Sequence, residues 1–388
     1  MMTKPPPELL TPLHVPQKLL MGPGPSNCHP RVLHSLSQQM LGHLDRNFME
    51  IMHEVKIGIK YAFQTENEMT FAVSGTGHCA METAICNVLE PDDKFLVASP
   101  GIWGDRALNI GQRLGAKCLQ LKTLEDEVLQ IKDLKKTMIE FQPNVVFLCH
   151  GDSSTGVLQP LPDIIDFLNS FNCIIIVDSV ASLGAVPLFM DKWGIDVLYS
   201  GSQKILSAPP GISPICFNTK AVKKMKSRKT PISSFYMDAL LLGNYWNCDG
   251  DPVKYHHTAC MSVIYGLRES LSILAKETLV NCWERHKLCA QYLYNTLEEM
   301  GLVLFIRDEV YRLPSVTTVK IPAGIDGQHI VREMEEKYGI CIAGGLGTTA
   351  GKVWRIGLMG YNCNEENIKK TCEALKKCIE SSKLTSSL

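Results

Sequence analysis

The chain has 388 residues, 45% of them hydrophobic and 20% charged, which is the composition of an ordinary folded protein with room for two domains. Its 39 basic and 40 acidic residues leave a formal net charge of −1, which excludes a general attraction to nucleic acid or to an anionic membrane. We therefore expect small-molecule partners.

The first 25 residues form a proline-rich segment, with prolines at positions 5, 6, 7, 12, 16, 23 and 25. Because proline lacks an amide hydrogen, this pattern predicts an extended arm without a helix. The segment lacks the apolar core of a signal peptide and the arginine-rich pattern of a transit peptide, and no apolar stretch is long enough to span a bilayer. We expect a protein that is neither exported nor held in a membrane.

After the arm, helical and strand patterns alternate. Residues 31 to about 64 have helical periodicity, and short apolar runs that end in polar or glycine-rich turns follow them. Strands this uniformly apolar are covered on both faces, which predicts a mainly parallel central sheet in an α/β fold. The predicted strands are MTFAVS (69–74), DKFLVAS (93–99), NVVFLCH (144–150), CIIIVDSV (173–180) and IDVLYSG (195–201).

The pattern changes after residue 258. Long helices are predicted at about 262–300, and a final amphipathic helix is predicted from Asn364. Between them lie three candidate strands, SVTTVKIP, GICIAGG and KVWRIGLMG. We predict an extended arm at 1–25, a large α/β domain at 26–258 and a smaller C-terminal α+β domain at 259–388.

Fifteen cysteines are scattered singly through the chain, several of them inside apolar runs. This usage predicts buried thiols in a reducing compartment. The doublets Cys149-His150 and His256-His257 do not form a chelate by themselves, since adjacent residues of a strand point in opposite directions. We expect no metal site.

The stretch AVSGTGHCAMETAI predicts a strand that runs through a glycine-rich turn into a helix, the layout in which helix N-terminal amides bind an anion. Residues 75–80 also fit the dinucleotide pattern G-x-G-x-x-A, but that site needs an acid about 20 residues further on. The segment LVASPGIWG has none before Asp105. A single phosphate is therefore favoured over a dinucleotide, and a plain glycine-rich turn remains the alternative.

Two charged residues follow apolar strands at the edge of the sheet where ligands gather. Asp178 ends IIIVD, and a buried carboxylate there favours a cation such as a protonated pyridine nitrogen, unless it caps a helix or forms an ion pair. Lys204 follows DVLYS, where a desolvated amine can form a Schiff base, unless it is a solvated surface lysine. A phosphate site, an acid and an amine together match pyridoxal 5'-phosphate, and Trp103 offers a flat face for its ring.

Many further motifs in the chain are similar to those of one known enzyme family. The chain resembles the alanine–glyoxylate (serine–pyruvate) aminotransferases of the class V, fold type I pyridoxal phosphate family from about residue 5 to 380. The motifs are MGPGPSN, SGTGHCAMET, GIWGDRA, HGDSSTGVLQPL, VDSVASLGAVPLFMDKWGID, YSGSQKILSAPPG, YHHT and GGLGTTAGKVWRIGLMG. The family fold implies a large domain with a mainly parallel sheet and a smaller C-terminal α+β domain.

The resemblance implies a ping-pong transamination of alanine or serine with glyoxylate or pyruvate in a homodimer. Lys204 would carry the cofactor as an aldimine, Asp178 would pair with the pyridine nitrogen, and Trp103 would stack on the ring. Arg355 would bind the substrate carboxylate, a role that suits its planar guanidinium. The other implied cofactor contacts are Thr76, Gly77, His78 and Gln203 at the phosphate, Ser153 and Val180 at the ring, and Tyr255 and Thr258 from the neighbouring subunit; Gly24, His43 and Ser153 belong to the implied substrate site.

Other functions stay open at this level. The 3-hydroxykynurenine transaminases of the same family differ in the pocket around residues 42–44 and 76–78. A cysteine desulfurase needs a cysteine on a mobile loop, and residues 302–340 contain none. An NAD-dependent dehydrogenase and a catalytically silent binding protein are the alternatives from other classes.

The sequence ends in Ser386-Ser387-Leu388, which is similar to the S-K-L peroxisomal address but lacks its central basic residue. We expect a peroxisomal protein, with the cytosol and the mitochondrion as alternatives.

Overall fold

The structure, a computed structural model, describes residues 3–386. Ser387 and Leu388, on which the expected peroxisomal address depends, therefore lie outside the described residues. Within the described range, no helix combines the length and the apolarity that a membrane-spanning segment needs.

Helices and strands alternate along most of the chain, as the sequence pattern predicts. The α-helices are α1 Pro30–Leu36, α2 Arg46–Phe63, α3 Gly77–Val88, α4 Gly101–Arg113, α5 Ile131–Phe141, α6 Pro162–Asn169, α7 Met190–Trp193, α8 Thr219–Lys226, α9 Ala239–Tyr245, α10 Met261–Glu277, α11 Leu279–Glu299, α12 Gly327–Tyr338 and α13 Glu365–Ser386. The strands are β1 Leu19–Leu20, β2 Met69–Val73, β3 Lys94–Val97, β4 Lys117–Gln120, β5 Val145–Cys149, β6 Gly151–Asp152, β7 Val157–Leu158, β8 Ile174–Asp178, β9 Val197–Tyr199, β10 Ser213–Phe217, β11 Val316–Lys320, β12 Ile340–Cys341, β13 Ala343–Gly344 and β14 Val353–Gly357.

A seven-stranded sheet in the order β2-β10-β9-β8-β5-β3-β4 lies at the centre of the fold. The neighbours β4, β3, β5, β8 and β9 are parallel, and β10 runs antiparallel to both β2 and β9. Every residue of β2, β5, β8 and β9 is buried, because helices cover both faces. The prediction of a mainly parallel sheet in an α/β fold is confirmed.

The strands predicted between residues 69 and 201 are all present, but two members of the sheet were missed. The edge strand β4 alternates exposed and half-buried residues, so it lacks the continuous apolar run that marks the others. The strand β10 contains Pro214, and proline argues against a central strand. In the structure, Pro214 contributes to the sheet through its carbonyl, which accepts a hydrogen bond from the Ser200 amide.

The helical pattern predicted from residue 31 to 64 is divided into α1 and α2. Asp45 begins the second helix by accepting a hydrogen bond of 2.8 Å from the Asn47 amide, as an N-cap residue does. The long helical segment near 262–300 is likewise divided at Thr278, whose φ of +72° interrupts the helix.

The buried apolar side chains form two main cores. The first surrounds the central sheet and includes residues of α10 from Met261 to Leu274. The second lies between α11, α12, α13 and the antiparallel sheet β11-β14-β13. The division of the chain at residue 258 stays a prediction, and α10 packs with the first core.

The proline-rich arm is mostly extended, as predicted, but Pro7–Leu10 form one turn of 3₁₀-helix with proline in its first turn. At its end, β1 pairs in parallel with β12, and Met21 is fully buried in the second core. Leu9, Leu10 and Leu13 of the arm are 78%, 71% and 89% exposed.

Candidate active site

The first part of the site is the N-terminus of α3, which follows β2. Thr76 is the N-cap residue, and its side chain makes no capping hydrogen bond. The intrahelical bonds start only at the Cys79 amide, which donates to the Thr76 carbonyl, so the Gly77 and His78 amides precede them. These amides and the positive end of the helix dipole are suited to an anion.

Asp178 ends β8 at the same edge of the sheet. It is 4% exposed, and burial raises its pKa to about 6, against the opposing effect of two hydrogen bonds. The Tyr199 hydroxyl donates to Oδ2 at 2.6 Å, and the Val180 amide donates to Oδ1 at 2.8 Å. Neither donor carries a charge, so this carboxylate retains a strong preference for a cationic neighbour.

Lys204 lies on the turn that follows β9 and is 8% exposed. Burial lowers its pKa to about 8, and the positive charge of Arg355 acts in the same direction, whereas Asp178 opposes it. Its Nζ donates to the Pro23 carbonyl. An amine with this pKa has a substantial neutral fraction near neutral pH, which is the form that attacks a carbonyl.

These groups line one cavity of about 160 Å³. Trp103, in the first turn of α4, lies there beside His78, with 5.6 Å between the ring centroids. Val180 lies beneath Gly77, where an added Cβ would stand 3.4 Å from its Cγ2 atom. The lining residues are Thr76, Gly77, His78, Met81, Trp103, Gly151, Ser153, Asp178, Val180, Ala181, Gln203 and Lys204.

Arg355, on β14 of the second sheet, reaches the edge of this site. It is 8% exposed, its Nε donates to the Gly344 carbonyl at 2.7 Å, and one terminal nitrogen donates to the Ser153 carbonyl at 3.0 Å. A guanidinium has five N–H groups, so these two bonds fix its plane and leave donors for a ligand carboxylate.

Gly24 lies directly against the lysine. Its φ of +103° is a conformation that side chains rarely adopt, and an added Cβ would stand 2.5 Å from Nζ of Lys204. Glycine at this position therefore lets the arm approach the amine.

Besides Gly24 and Arg355, three other residues named by resemblance do not line the cavity, namely His43, Tyr255 and Thr258. The His43 and Tyr255 rings are 4.8 Å apart, and the Tyr255 hydroxyl is 3.2 Å from the Thr258 hydroxyl. Tyr255 is 54% exposed. Tyr255 thus contacts both His43 and Thr258, and none of the three lines the cavity that contains Lys204.

Two residues that the sequence analysis did not single out support the site. Tyr199 is fully buried and pairs in register with Asp178 on the neighbouring strand. Asp152 is 7% exposed, accepts hydrogen bonds from the Ser154 amide and hydroxyl, and interacts with Arg355, while burial raises its pKa. Both occur within motifs that carried the resemblance, YSGSQK and HGDSS, but only the tertiary structure shows what they contact.

A second, larger cavity of about 390 Å³ adjoins the site at Asp152 and extends along Gly101, Lys122 and Glu125. It contains neither Lys204 nor Asp178 in its lining. The chemistry is therefore placed in the smaller cavity.

A family model for aminotransferase class-V matches residues 20–370. The chain belongs to the class-V aminotransferase family. An alanine–glyoxylate aminotransferase from Callithrix jacchus is 48% identical over 98% of this chain and 92% of its own length. One from Drosophila melanogaster is 42% identical over 99% of this chain and 98% of its own. The crystal structure of an alanine–glyoxylate aminotransferase from Nostoc sp. covers 97% of this chain and 100% of its own, at 41% identity and a TM-score of 0.94.

Class-V aminotransferases use pyridoxal 5'-phosphate, and the residues of this aminotransferase fit that group. The α3 amides suit the phosphate, the uncompensated Asp178 carboxylate suits the protonated ring nitrogen, and Lys204 suits the aldehyde. Gln203 Oε1 is buried without a hydrogen-bond partner among the described residues, which marks a polar group that a ligand can satisfy. The side chains described by the structure contain no cluster of three or more His, Cys, Asp or Glu that could hold a metal ion.

Proposed function

We propose that this aminotransferase transfers the amino group of alanine to glyoxylate, giving pyruvate and glycine, with serine and pyruvate as the related donor and acceptor. The observation that carries the proposal is the convergence of Lys204, Asp178 and the α3 N-terminus on one buried cavity, with Arg355 at its edge. The names of the relatives from Callithrix jacchus and Drosophila melanogaster support the choice of alanine and glyoxylate.

The site residues divide into those that hold the cofactor and those that act on the substrate. Thr76, Gly77, His78 and Gln203 would hold the phosphate, Trp103 and Val180 the faces of the ring, and Asp178 the ring nitrogen. Pyridoxal phosphate, when bound, supplies an aldehyde and an electron-withdrawing ring.

Lys204 is the group that moves protons. With a pKa of about 8, its Nζ can take a proton from the substrate Cα and return one. Asp178 would pair its negative charge with the ring nitrogen, and Tyr199 and the Val180 amide stabilise that charge because both donate to its carboxylate. Arg355 orients the substrate by its carboxylate, so that Cα faces Lys204. Donor and acceptor occupy this position in turn, which gives ping-pong kinetics.

Replacing the lysine tests this assignment. We expect Lys204→Ala to retain cofactor poorly. Its turnover number should be lower than that of the wild type by a factor of ~10²–10⁴, the usual contribution of positioned acid–base catalysis. Lys220→Ala, which removes a lysine that is paired with Asp196 away from the cavity, is the matched control. Normal turnover and an unchanged visible absorption band in the Lys204 variant would refute the assignment.

A substrate panel separates the two transaminase candidates. Glyoxylate or pyruvate is paired with alanine, serine and 3-hydroxykynurenine, and the amino acid products are quantified. Glycine formation from alanine and glyoxylate should be fastest. A faster reaction with 3-hydroxykynurenine would instead assign the 3-hydroxykynurenine transaminase activity.

A homodimer with shared active sites is part of the proposal. The support is the absence of His43, Tyr255 and Thr258 from the lining of the cavity in their own chain, together with the exposure of apolar groups such as Phe235 at 68% and Met40 at 72%. Sedimentation should give twice the chain mass of 43.1 kDa. A monomer with full activity would exclude the shared site.

The biological setting is proposed with the activity. The reaction fits glyoxylate detoxification and glycine biosynthesis, and the Ser386-Ser387-Leu388 terminus favours the peroxisome. Imaging of the full chain with an N-terminal fluorescent tag tests this, with Leu388→Asp as the comparison. A cytosolic or mitochondrial signal would exclude the peroxisome.

A further inference from the structure

The turn that carries Lys204 is contacted from two sides, by the arm and by the loop 360–364 that follows β14. On the arm side, the Ser26 amide donates to the Gln203 carbonyl at 2.9 Å, and the Ser26 hydroxyl donates to the Lys204 carbonyl at 2.9 Å. The Pro23 carbonyl accepts a hydrogen bond from Lys204 Nζ. The arm therefore binds both ends of the lysine, its backbone carbonyl and its amine.

On the other side, the loop 360–364 packs directly on the same turn. The Tyr361 amide donates to the Ser207 hydroxyl at 2.9 Å. An added Cβ on Gly360 would overlap the Ile205 carbonyl and the Ser207 hydroxyl, so no side chain fits between loop and turn. The loop is itself held by α11, because the Arg285 guanidinium donates to the Gly360 carbonyl at 2.9 Å. The lysine turn thus has a firmly held partner in the second sheet's loop.

Ser26 and Ser207 join these two sides, and we call them the hydroxyl pair. Their hydroxyl oxygens are 3.2 Å apart, and the two residues are only 5% and 4% exposed. An amide can only donate and a carbonyl can only accept, so Ser207 accepts from Tyr361 and the single proton of Ser26 goes to the Lys204 carbonyl. Ser207 is then the donor to Ser26, since its other acceptors are carbonyls at 3.4 and 3.5 Å. Every donor is used, and the hydrogen bonds run in one direction from the loop to the lysine.

The backbone of Ser207 is strained. Its φ of +52° lies in the left-handed region, which disfavours side chains and favours glycine. Residues held in this way concentrate at functional sites, where surrounding contacts fix them. The hydroxyl of Ser207, and not its backbone conformation, therefore explains why serine occupies this position.

We propose that Ser26 and Ser207 are positioning residues for Lys204, which tie its backbone carbonyl to the loop that follows the strand of Arg355. The substrate Cα has to lie between the carboxylate that Arg355 binds and the amine that moves its proton. The hydroxyl pair sets the distance between these two groups, and a misplacement of about 1 Å can cost roughly 100-fold in rate. The inference rests on the proposed function, because it takes Lys204 as the proton-transfer group.

The principal test is Ser207→Gly, which removes the hydroxyl and suits the backbone. The half-reaction of the cofactor-loaded variant with alanine is followed by stopped-flow absorbance, after circular dichroism has confirmed the fold. We expect its saturating rate to fall by roughly 10–100-fold. The alanine concentration that half-saturates it should stay within about twofold of the wild type, because Arg355 is unchanged. Alanine deuterated at Cα should still react more slowly, which identifies proton transfer as the slowed step.

A second measurement needs no turnover. Apoprotein is mixed with pyridoxal phosphate, the bond between lysine and cofactor is trapped with borohydride at timed intervals, and the labelled peptide is quantified by mass spectrometry. Labelling of Lys204 should be about 10-fold slower in Ser26→Ala and in Ser207→Gly than in the wild type. Because both substitutions interrupt the same series of hydrogen bonds, the double variant should be no more than about twofold slower than the slower single variant.

Ser270→Ala is the matched control. Ser270 is also buried, and its hydroxyl donates to the Leu206 carbonyl of the same turn instead of to the hydroxyl pair. Its half-reaction and its labelling of Lys204 should both proceed within about twofold of the wild-type rates.

Three results would overturn the inference. They are a wild-type half-reaction rate in Ser207→Gly, equal slowing in Ser270→Ala, and a double variant whose slowing is the product of the two single effects. Failure of the proposed function looks different, since the wild type would then take up cofactor at Lys204 but transaminate no pair of the substrate panel. The labelling rates would still decide the positioning role in that case. If Ser26→Ala fails to fold, the measurements on Ser207→Gly decide alone.

Discussion

The hydrogen bond from Tyr199 to Asp178 is the contact whose removal gives the sharpest test of the site. Tyr199→Phe deletes a hydroxyl that stands 2.6 Å from the buried carboxylate and leaves the ring that fills the core. A hydrogen bond to a charged group contributes about 1.5–3 kcal/mol, and 1.36 kcal/mol corresponds to one pKa unit. The pKa of Asp178 should therefore rise from about 6 to ~7–8.

The consequence is a pH-dependent loss of cofactor affinity, because only the ionised carboxylate pairs with a protonated ring nitrogen. If the bound state keeps Asp178 ionised, the variant should bind pyridoxal phosphate ~3–25-fold more weakly than the wild type at pH 6.5. At pH 8.5 the two proteins should bind almost equally, since both carboxylates are then ionised before binding.

The assay titrates the apoprotein with pyridoxal phosphate at pH 6.5, 7.5 and 8.5 and follows the quenching of tryptophan emission. Tyr265→Phe is the control: Tyr265 is also buried, and its hydroxyl accepts a hydrogen bond from the Leu41 amide instead. An affinity loss in Tyr199→Phe that is the same at every pH, or no loss at all, would refute the reasoning.

Other perturbations address the substrate-binding Arg355, the arm residue Gly24 and the buried His286. Arg355→Lys should raise KM for the amino acid ~10–100-fold with little change in the unfolding midpoint, because one ammonium cannot replace the fork of N–H donors; an unchanged KM would remove Arg355 from substrate binding. Gly24→Ala should cost about 1–3 kcal/mol in unfolding free energy and weaken cofactor retention, as measured by urea denaturation and absorbance, since its φ is +103° and the methyl group would meet Lys204. Burial lowers the pKa of His286 to about 4 from its ordinary 6.5, so its contribution to stability is fully present above pH 6.5 and is lost as pH falls toward 4. Between pH 7.5 and pH 5 the unfolding free energy of the wild type should fall by ~2 kcal/mol more than that of His286→Gln. Identical pH slopes would contradict this.

The sequence by itself determined the architecture of the central sheet and the main chemical groups. Runs such as IIIVD are apolar on both faces, so they had to become buried strands, and their polar ends had to meet at one edge. That logic was sufficient to bring Asp178, Lys204 and the segment 76–78 together. It was weaker for β10, because Pro214 normally argues against a central strand, and for β4, whose half-exposed edge position leaves no continuous apolar pattern.

Only the tertiary structure decided which neutral groups control those charges. Tyr199 and Asp178 are 21 residues apart in sequence, and only the parallel register of β8 and β9 places the hydroxyl on the carboxylate. The contact between Gly24 and Lys204 likewise joins segments that are distant in sequence. Local patterns record burial and periodicity, whereas the pKa of a buried acid, amine or thiol depends on partners that the packing of the whole chain supplies.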